Sequence, residues 1–88
     1  MAKHFIVKGR VQGVWYRQST VQQAKLLNLT GWVKNLENGD VELFACGQAD
    51  KLVHLENWLW QGPTAAKVSE VLSKVCNDEK FTDFNVIY

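Results

Sequence analysis

Apolar and polar residues alternate along five stretches of the chain, and in two others apolar residues recur every three or four positions. Alternation is typical of strands with one buried face, and the longer spacing is typical of amphipathic helices. The alternation predicts strands over residues 3–8, 30–36, 40–46, 67–75 and 81–88. The longer spacing predicts helices over residues 17–27 and 50–61, with Val21, Ala24 and Leu27 on the buried side of the first helix.

Turn-forming residues separate these segments. Asn28 follows the first helix, where asparagine tolerates the left-handed backbone that ends many helices. The pair Asn38-Gly39 lies between two strands and predicts a tight hairpin turn. Gly62-Pro63 follows the second helix and ends it, because proline cannot continue a helix.

The predicted order is β-α-β-β-α-β, with a short extra strand after the fourth. This order indicates an α+β fold of the ferredoxin-like, split βαβ class, in which two helices cover one face of a mostly antiparallel sheet. The alternation of the fourth strand slips between Val68 and Val71, which predicts a bulge there. No linker or repeat interrupts the pattern, so we expect one domain over residues 1–88.

Composition narrows the classes of partner. The chain has 88 residues and a net charge of +1, a balance that does not favour nucleic acid or an anionic membrane. No apolar run reaches the roughly 20 residues of a membrane span. The first residues lead directly into a strand pattern rather than a signal peptide. We therefore expect a cytoplasmic protein. We also expect a monomer.

The two cysteines, Cys46 and Cys76, lie far apart in the sequence. They form no metal-binding spacing with His4 or His54. Two unpaired thiols are typical of a cytosolic chain, and a disulfide between them is the alternative that the sequence leaves open. No carboxylate cluster suggests a metal, so we expect neither a metal nor a cofactor.

Candidate chemistry is concentrated in the strand-to-helix turn at residues 9–17, GRVQGVWYR. Glycines allow successive backbone N–H groups to face one concavity, and the start of a helix adds N–H groups without partners. Arg17 adds a planar fork of donors that matches phosphate oxygens. The turn therefore suits a phosphate, although its residue types are equally compatible with an ordinary turn and a solvated Arg17. It is neither a Walker loop nor a dinucleotide fingerprint.

Two blocks of the sequence resemble the signatures of the acylphosphatase family. Residues 9–17 closely resemble the pattern Gly-[Arg/Lys/His]-Val-Gln-Gly-Val-x-Phe-Arg, with Tyr16 in place of the phenylalanine. Residues 31–42, GWVKNLENGDVE, match Gly-x-[Val/Ala]-x-Asn-x-x-[Asp/Asn]-Gly-x-Val. Gly62-Pro63 followed by Val68 is similar to a third family feature. The resemblance covers essentially the whole chain, and both main blocks stand at the family's separation.

The resemblance implies a metal-independent acylphosphatase, which hydrolyses the carboxyl–phosphate bond of small acyl phosphates. It implies that Arg17 binds the phosphate and that Asn35 orients the attacking water. It also implies a phosphate cradle at residues 9–17, and inorganic phosphate as product and competitor. Backbone N–H groups of the cradle would hold the phosphoryl oxygens, those of Val11, Gln12, Gly13, Val14, Trp15 and Tyr16. From pattern alone Asn35 could equally flank the hairpin, and pattern does not bring it to Arg17.

Two positions depart from the family pattern. Trp15 occupies the variable position, and either lines the mouth of the site or packs on the helix. Tyr16 replaces the usual phenylalanine, and its hydroxyl requires a partner or solvent.

Two other functions fit the element order. An RNA-recognition motif is disfavoured because its aromatic signature is missing. A catalytically silent, anion-sensing domain is the alternative to the enzyme.

Overall fold

The computed structural model describes all 88 residues as two helices packed on a five-stranded sheet. The elements are β1 (Ala2–Arg10), α1 (Tyr16–Leu26), β2 (Thr30–Asn35), β3 (Val41–Cys46), α2 (Ala49–Gln61), β4 (Lys67–Cys76) and β5 (Phe84–Val86). The predicted order and the short extra strand are confirmed. Neither helix is long and apolar enough to cross a membrane.

The strands lie in the order β4-β1-β3-β2-β5. All neighbours are antiparallel except β2 and β5, which are parallel. The first four strands therefore have the predicted ferredoxin-like topology, with β3 between β1 and β2. Because β1 and β2 both pair antiparallel with β3, they run in the same direction. The turn after β1 and the end of β2 therefore lie at the same end of the sheet.

The core lies between the sheet and both helices. Its largest fully buried side chains come from both layers and include Phe5, Phe84, Leu43, Leu52, Leu55, Leu59 and Tyr16. A smaller cluster covers the opposite face, where the Phe44 ring lies 6.3 Å from Trp32 and 5.8 Å from Phe81. Residues after β4 thus cover the second face instead of extending the sheet.

The predicted bulge in β4 is confirmed. Lys8 pairs with Glu70 and Gly9 pairs with Val68, so Ser69 has no partner across the ladder. Gly9 has φ 125°, and a Cβ there would lie 2.2 Å from the Lys67 carbonyl oxygen. Only glycine fits such a close approach. The bulge turns the end of β1 into the cradle.

Several predicted boundaries are corrected. The last strand shortens from residues 81–88 to three residues, because only Gly31 to Val33 of β2 pair with it. The hairpin loop spans residues 36–40 rather than a two-residue turn, and only Gly39 in it has positive φ. Asn38 instead accepts a hydrogen bond from the Asp40 N–H at 3.0 Å.

The buried side of α1 is also corrected. The helix begins one residue early, at Tyr16, and buries Tyr16, Thr20 and Ala24. These residues recur every fourth position on one face. Val21 and Leu27 are only partly buried. Asn28 has φ 57°, which confirms the predicted left-handed end of the helix.

The cysteines are free thiols. Cys46 on β3 and Cys76 on β4 both pair with Ala2 of β1, from opposite sides. Two strand spacings separate them, ~9.5 Å between backbones. A disulfide requires Cα atoms within about 7 Å, so the topology resolves the alternative that the sequence left open.

Candidate active site

The start of α1 provides backbone N–H groups without partners. Trp15 precedes the helix with φ 65° and ψ 19°, and Gly13 has φ 73°. These left-handed residues turn the chain from β1 into the helix. The first helical bond runs from Ser19 N–H to Trp15 O at 3.0 Å, and no side chain caps the preceding N–H groups. The N–H groups of Tyr16, Arg17 and Gln18 therefore remain available to an anion.

A cavity of about 420 Å³ opens at this end of the molecule. It is lined by Val11, Gly13, Trp15, Tyr16, Arg17, Gln18, Asn35, Val86 and Tyr88. Arg17 and Asn35, which the sequence could not place together, thus share one cavity. Its polar side chains are a guanidinium and amides rather than carboxylates or thiolates. That donor set suits an anion and not a metal cation.

Two of the six residues predicted to hold the phosphoryl oxygens do not line the cavity. Val14 is buried in the core. Gln12 directs its side chain to the β2–β3 hairpin loop, where Nε2 donates to Leu36 O at 2.8 Å and to Asp40 O at 2.9 Å. The other four line the cavity, namely Val11, Gly13, Trp15 and Tyr16. Gln12 does not reach the cavity itself, but it joins the cradle to the loop that follows Asn35.

Ion pairing fixes the same hairpin loop. Lys8 Nζ lies 2.8 Å from Asp40 Oδ2, and Asn38 Nδ2 donates to that oxygen at 3.2 Å. The Asp40 carboxylate raises the pKa of Lys8 above its ordinary value, first through the hydrogen bond and then through its charge. The ion pair therefore favours the charged form of Lys8. The pair holds the loop against β1, close to where the cradle begins.

Asn35 ends β2, opposite Val41 of β3. Its Oδ1 atom is buried and has no hydrogen-bond partner within the protein. An unpaired buried oxygen costs free energy, so native proteins rarely keep one without a functional reason. An amide oxygen is a hydrogen-bond acceptor, and a water molecule is one donor that could satisfy it.

Tyr16 satisfies its extra hydroxyl inside the core. The hydroxyl donates to Leu59 O at 2.7 Å, and the ring lies 5.7 Å from the ring of Trp58. Burial raises the pKa of Tyr16 well above its ordinary value of 10.0. The phenol is therefore neutral at physiological pH. It supports the cradle through its hydrogen bond and its packing, and it adds no charge to the site.

Sequence reasoning missed three residues of the cavity. Gln18 follows Arg17 directly, and its position in the first turn of α1 was a signal for it. Val86 and Tyr88 come from the end of the chain. The Arg17 Cζ atom lies 5.3 Å from the centroid of the Tyr88 ring. No local pattern signals such a contact, because it depends on where β5 attaches to the sheet.

Comparisons with known proteins agree with this geometry. The acylphosphatase family profile matches residues 3–86. An acylphosphatase of Coxiella burnetii (strain RSA 493 / Nine Mile phase I) is 51% identical over 83 residues, which cover 94% of this chain and 87% of the relative.

Solved structures give the same result. The structure of an acylphosphatase from Coxiella burnetii has a TM-score of 0.95 at 49% identity, covering 98% of this chain and 90% of that chain. The crystal structure of acylphosphatase from Bacillus subtilis has a TM-score of 0.95 at 32% identity and covers both chains fully. The family profile, the sequence identity and the shared fold together place the chain in the acylphosphatase family.

Proposed function

We propose that this protein hydrolyses the carboxyl–phosphate bond of small acyl phosphates, giving a carboxylate and inorganic phosphate. Arg17 and the N–H groups of the cradle bind the phosphoryl group, and Asn35 orients the attacking water. The observation that carries the proposal is that Arg17 and Asn35 line the same cavity, and that the side-chain oxygen of Asn35 has no partner within the protein. A positive charge for the phosphoryl group and a hydrogen-bond acceptor for water therefore come from neighbouring parts of one site.

The reaction needs little beyond positioning and charge stabilisation. The water oxygen forms a bond to phosphorus as the bridging P–O bond breaks, and the carboxylate leaves with that electron pair. A phosphoryl oxygen of the substrate accepts the proton of the water. Because a carboxylate is a good leaving group, no strong general base is required. Arg17 and the backbone N–H groups stabilise the charge on the phosphoryl oxygens during transfer.

The role of Arg17 is tested by Arg17→Gln. This change removes the charge and the fork of donors, so we expect loss of both turnover and phosphate binding. Turnover is followed by the absorbance of benzoyl phosphate in metal-free buffer, and binding is measured by calorimetric titration with inorganic phosphate. Lys67→Gln is the matched control, because Lys67 is exposed, pairs with the end of β1 and loses the same charge. Undiminished turnover in Arg17→Gln would contradict the assignment.

The role of Asn35 is tested by Asn35→Ala. Loss of the water acceptor is expected to reduce kcat by at least about 100-fold, the size seen for one transition-state hydrogen-bond group. Inhibition by inorganic phosphate should stay close to that of the wild type, since Arg17 and the N–H groups remain. Asn57→Ala on the exposed side of α2 serves as the control. Equal loss of phosphate binding in Asn35→Ala and Arg17→Gln would refute the separate roles.

The same assay distinguishes the enzyme from the alternative function. A silent, anion-sensing domain would bind inorganic phosphate while leaving benzoyl phosphate to hydrolyse at its spontaneous rate. Turnover that requires Arg17 excludes that alternative. Phosphate binding without turnover supports it and rejects the enzyme.

The proposal extends to a monomer in the cytoplasm that binds no nucleic acid. Two free thiols and a net charge of +1 support it. Light scattering coupled to gel filtration tests the monomer, and a mass of two chains would overturn it.

A further inference from the structure

Trp15 combines two unfavourable features at the edge of the cavity. Its side chain is 78% exposed, although indole is among the largest apolar groups. Its backbone is left-handed, with φ 65°, which is costly for a residue with a bulky side chain. Neither feature supports the core. Such strain is concentrated at functional sites, where the surrounding structure holds a side chain in place for a ligand.

The cavity has room for more than a phosphate. At about 420 Å³ it lies in the range of roughly 300–1,000 Å³ that encloses small organic ligands. Of its polar side chains, Arg17 is assigned to the phosphoryl group and Asn35 to the water, and Gln18 adds a further amide. Its remaining surface is apolar and aromatic, formed by Val11, Trp15, Val86 and Tyr88. An acyl phosphate has the same division into an anionic end and an organic end.

Tyr88 lies beside the anionic end of the cavity. Its ring centroid is 5.3 Å from Cζ of Arg17, a cation–π distance that holds the ring next to the guanidinium. A ligand whose phosphoryl group binds Arg17 therefore has an aromatic ring within reach of its organic part. Trp15 and Tyr88 both line the cavity.

We propose that Trp15 is a specificity-determining residue that packs on the acyl group and makes the protein prefer planar, aromatic acyl phosphates over short aliphatic ones. The inference rests on the proposed function of the cavity. An aromatic acyl group stacks on indole in an offset or edge-to-face arrangement, and an acetyl group has no ring to do so. The stacking is worth about tenfold in selectivity.

The test compares benzoyl phosphate with acetyl phosphate. Both substrates carry the same phosphoryl group, so a disturbance of the cradle alters both and cancels in the ratio of their kcat/KM values. We expect Trp15→Ala to lower the benzoyl-to-acetyl ratio about tenfold, and Trp15→Phe to retain most of it, because phenyl still stacks. Trp60→Ala is the control, since Trp60 is exposed on α2 and does not line the cavity.

Two outcomes overturn the inference. One is a ratio in Trp15→Ala within about twofold of the wild type, and the other is an equal fall in Trp60→Ala. The expected fall in Trp15→Ala alone, with partial recovery in Trp15→Phe, supports it. Comparing the three variants separates contact with the acyl group from the general effect of losing an exposed indole.

A binding experiment keeps the inference separate from catalysis. Phenacylphosphonate and acetonylphosphonate replace the bridging oxygen of the two substrates by a methylene group and cannot be cleaved. Calorimetry on the whole protein should show that the phenacyl compound binds more tightly than the acetonyl compound. The ratio of their two dissociation constants should fall about tenfold in Trp15→Ala. If the wild type hydrolyses neither substrate but shows this binding preference and its dependence on Trp15, the proposed function fails and the role of Trp15 in binding the aromatic group stands. An unchanged ratio in Trp15→Ala rejects that role.

Discussion

Tyr16 joins the start of one helix to the end of the other. Its ring is 1% exposed, and its hydroxyl donates to Leu59 O, in the last turn of α2. Carbonyl groups in the last turn of a helix lack helical partners. The hydroxyl therefore caps α2 from the first residue of α1. The usual phenylalanine of the family pattern cannot form this bond.

Tyr16→Phe should destabilise the protein by about 1–2 kcal/mol at pH 7, because it leaves the buried Leu59 carbonyl unpaired. Urea unfolding followed by circular dichroism measures the change. Thr20→Val does not serve as a control, since Thr20 donates to Tyr16 O at 2.7 Å. Tyr88→Phe does, because Tyr88 is fully exposed. A loss of the same size in Tyr88→Phe would argue against the buried bond as the cause.

Tyr16 also predicts an alkaline loss of stability. Burial raises the pKa of Tyr16 above 10.0, while the unfolded phenol titrates near that value. Above pH 10 the unfolded state therefore binds fewer protons, and stability falls as pH rises, by up to about 1.4 kcal/mol per pH unit. Urea unfolding between pH 9 and 11.5 should show a steeper fall in the wild type than in Tyr16→Phe. Parallel curves would mean that Tyr16 ionises freely in the fold.

At the scale of elements, the cradle and the β2–β3 hairpin act as one unit. The side chain of Gln12 donates to Leu36 O and Asp40 O, and Lys8 pairs with Asp40. These contacts fix the loop that follows Asn35 against the loop that precedes Arg17. The two candidate catalytic groups lie on different elements, so their relative position depends on this joint.

Gln12→Ala should lower kcat about tenfold, because misplacement by about 1 Å reduces rates by up to about 100-fold. In an Asn35→Ala background the same change should have less than about a twofold effect, since the water acceptor that Gln12 positions is already gone. A double-mutant cycle on kcat measures this coupling. Gln22→Ala, on the exposed side of α1, is the control. Additive effects would mean that Gln12 acts on the phosphate site alone.

At the scale of the whole molecule, ligand binding and stability are linked. If the proposed phosphate site is correct, inorganic phosphate binds the folded cavity and not the unfolded chain, and it should stabilise the fold by mass action. At ten times its Kd it should add about 1.4 kcal/mol, and a domain of this size gains about 4–8 °C in Tm per kcal/mol. Calorimetric scans with phosphate against NaCl of equal ionic strength measure the gain. Arg17→Gln should abolish it, and a gain that persists in Arg17→Gln would place phosphate elsewhere.

Local features of the fold were predictable because they depend on near neighbours in the chain. The alternation of β4 fails at one residue, and Ser69 is unpaired there. Asn28 ends α1 in the left-handed conformation that its side chain tolerates. The predictions failed at boundaries. The last strand is short because β2 offers it only three partners, a fact that no pattern within residues 81–88 contains.

The candidate site divides in the same way. The glycine turn and Arg17 carry their chemistry in their own residue types, so the sequence indicated an anion site there. Asn35 carried no such signal without the family resemblance. Val86 and Tyr88 gave none at all, since they reach the cavity only through the pairing of β5 with β2.

The sequence by itself determined the order of the elements, the bulge, the anion-binding turn and the family, because each rests on spacing over a few residues or on contiguous motifs. The tertiary structure alone decided that Arg17 and Asn35 share a cavity, that Gln12 joins their loops, and that Trp15 stands exposed at the cavity that Tyr88 also lines. It also decided that Cys46 and Cys76 stay apart. These contacts join residues distant in the chain, and only the order of strands in the sheet sets which of them meet.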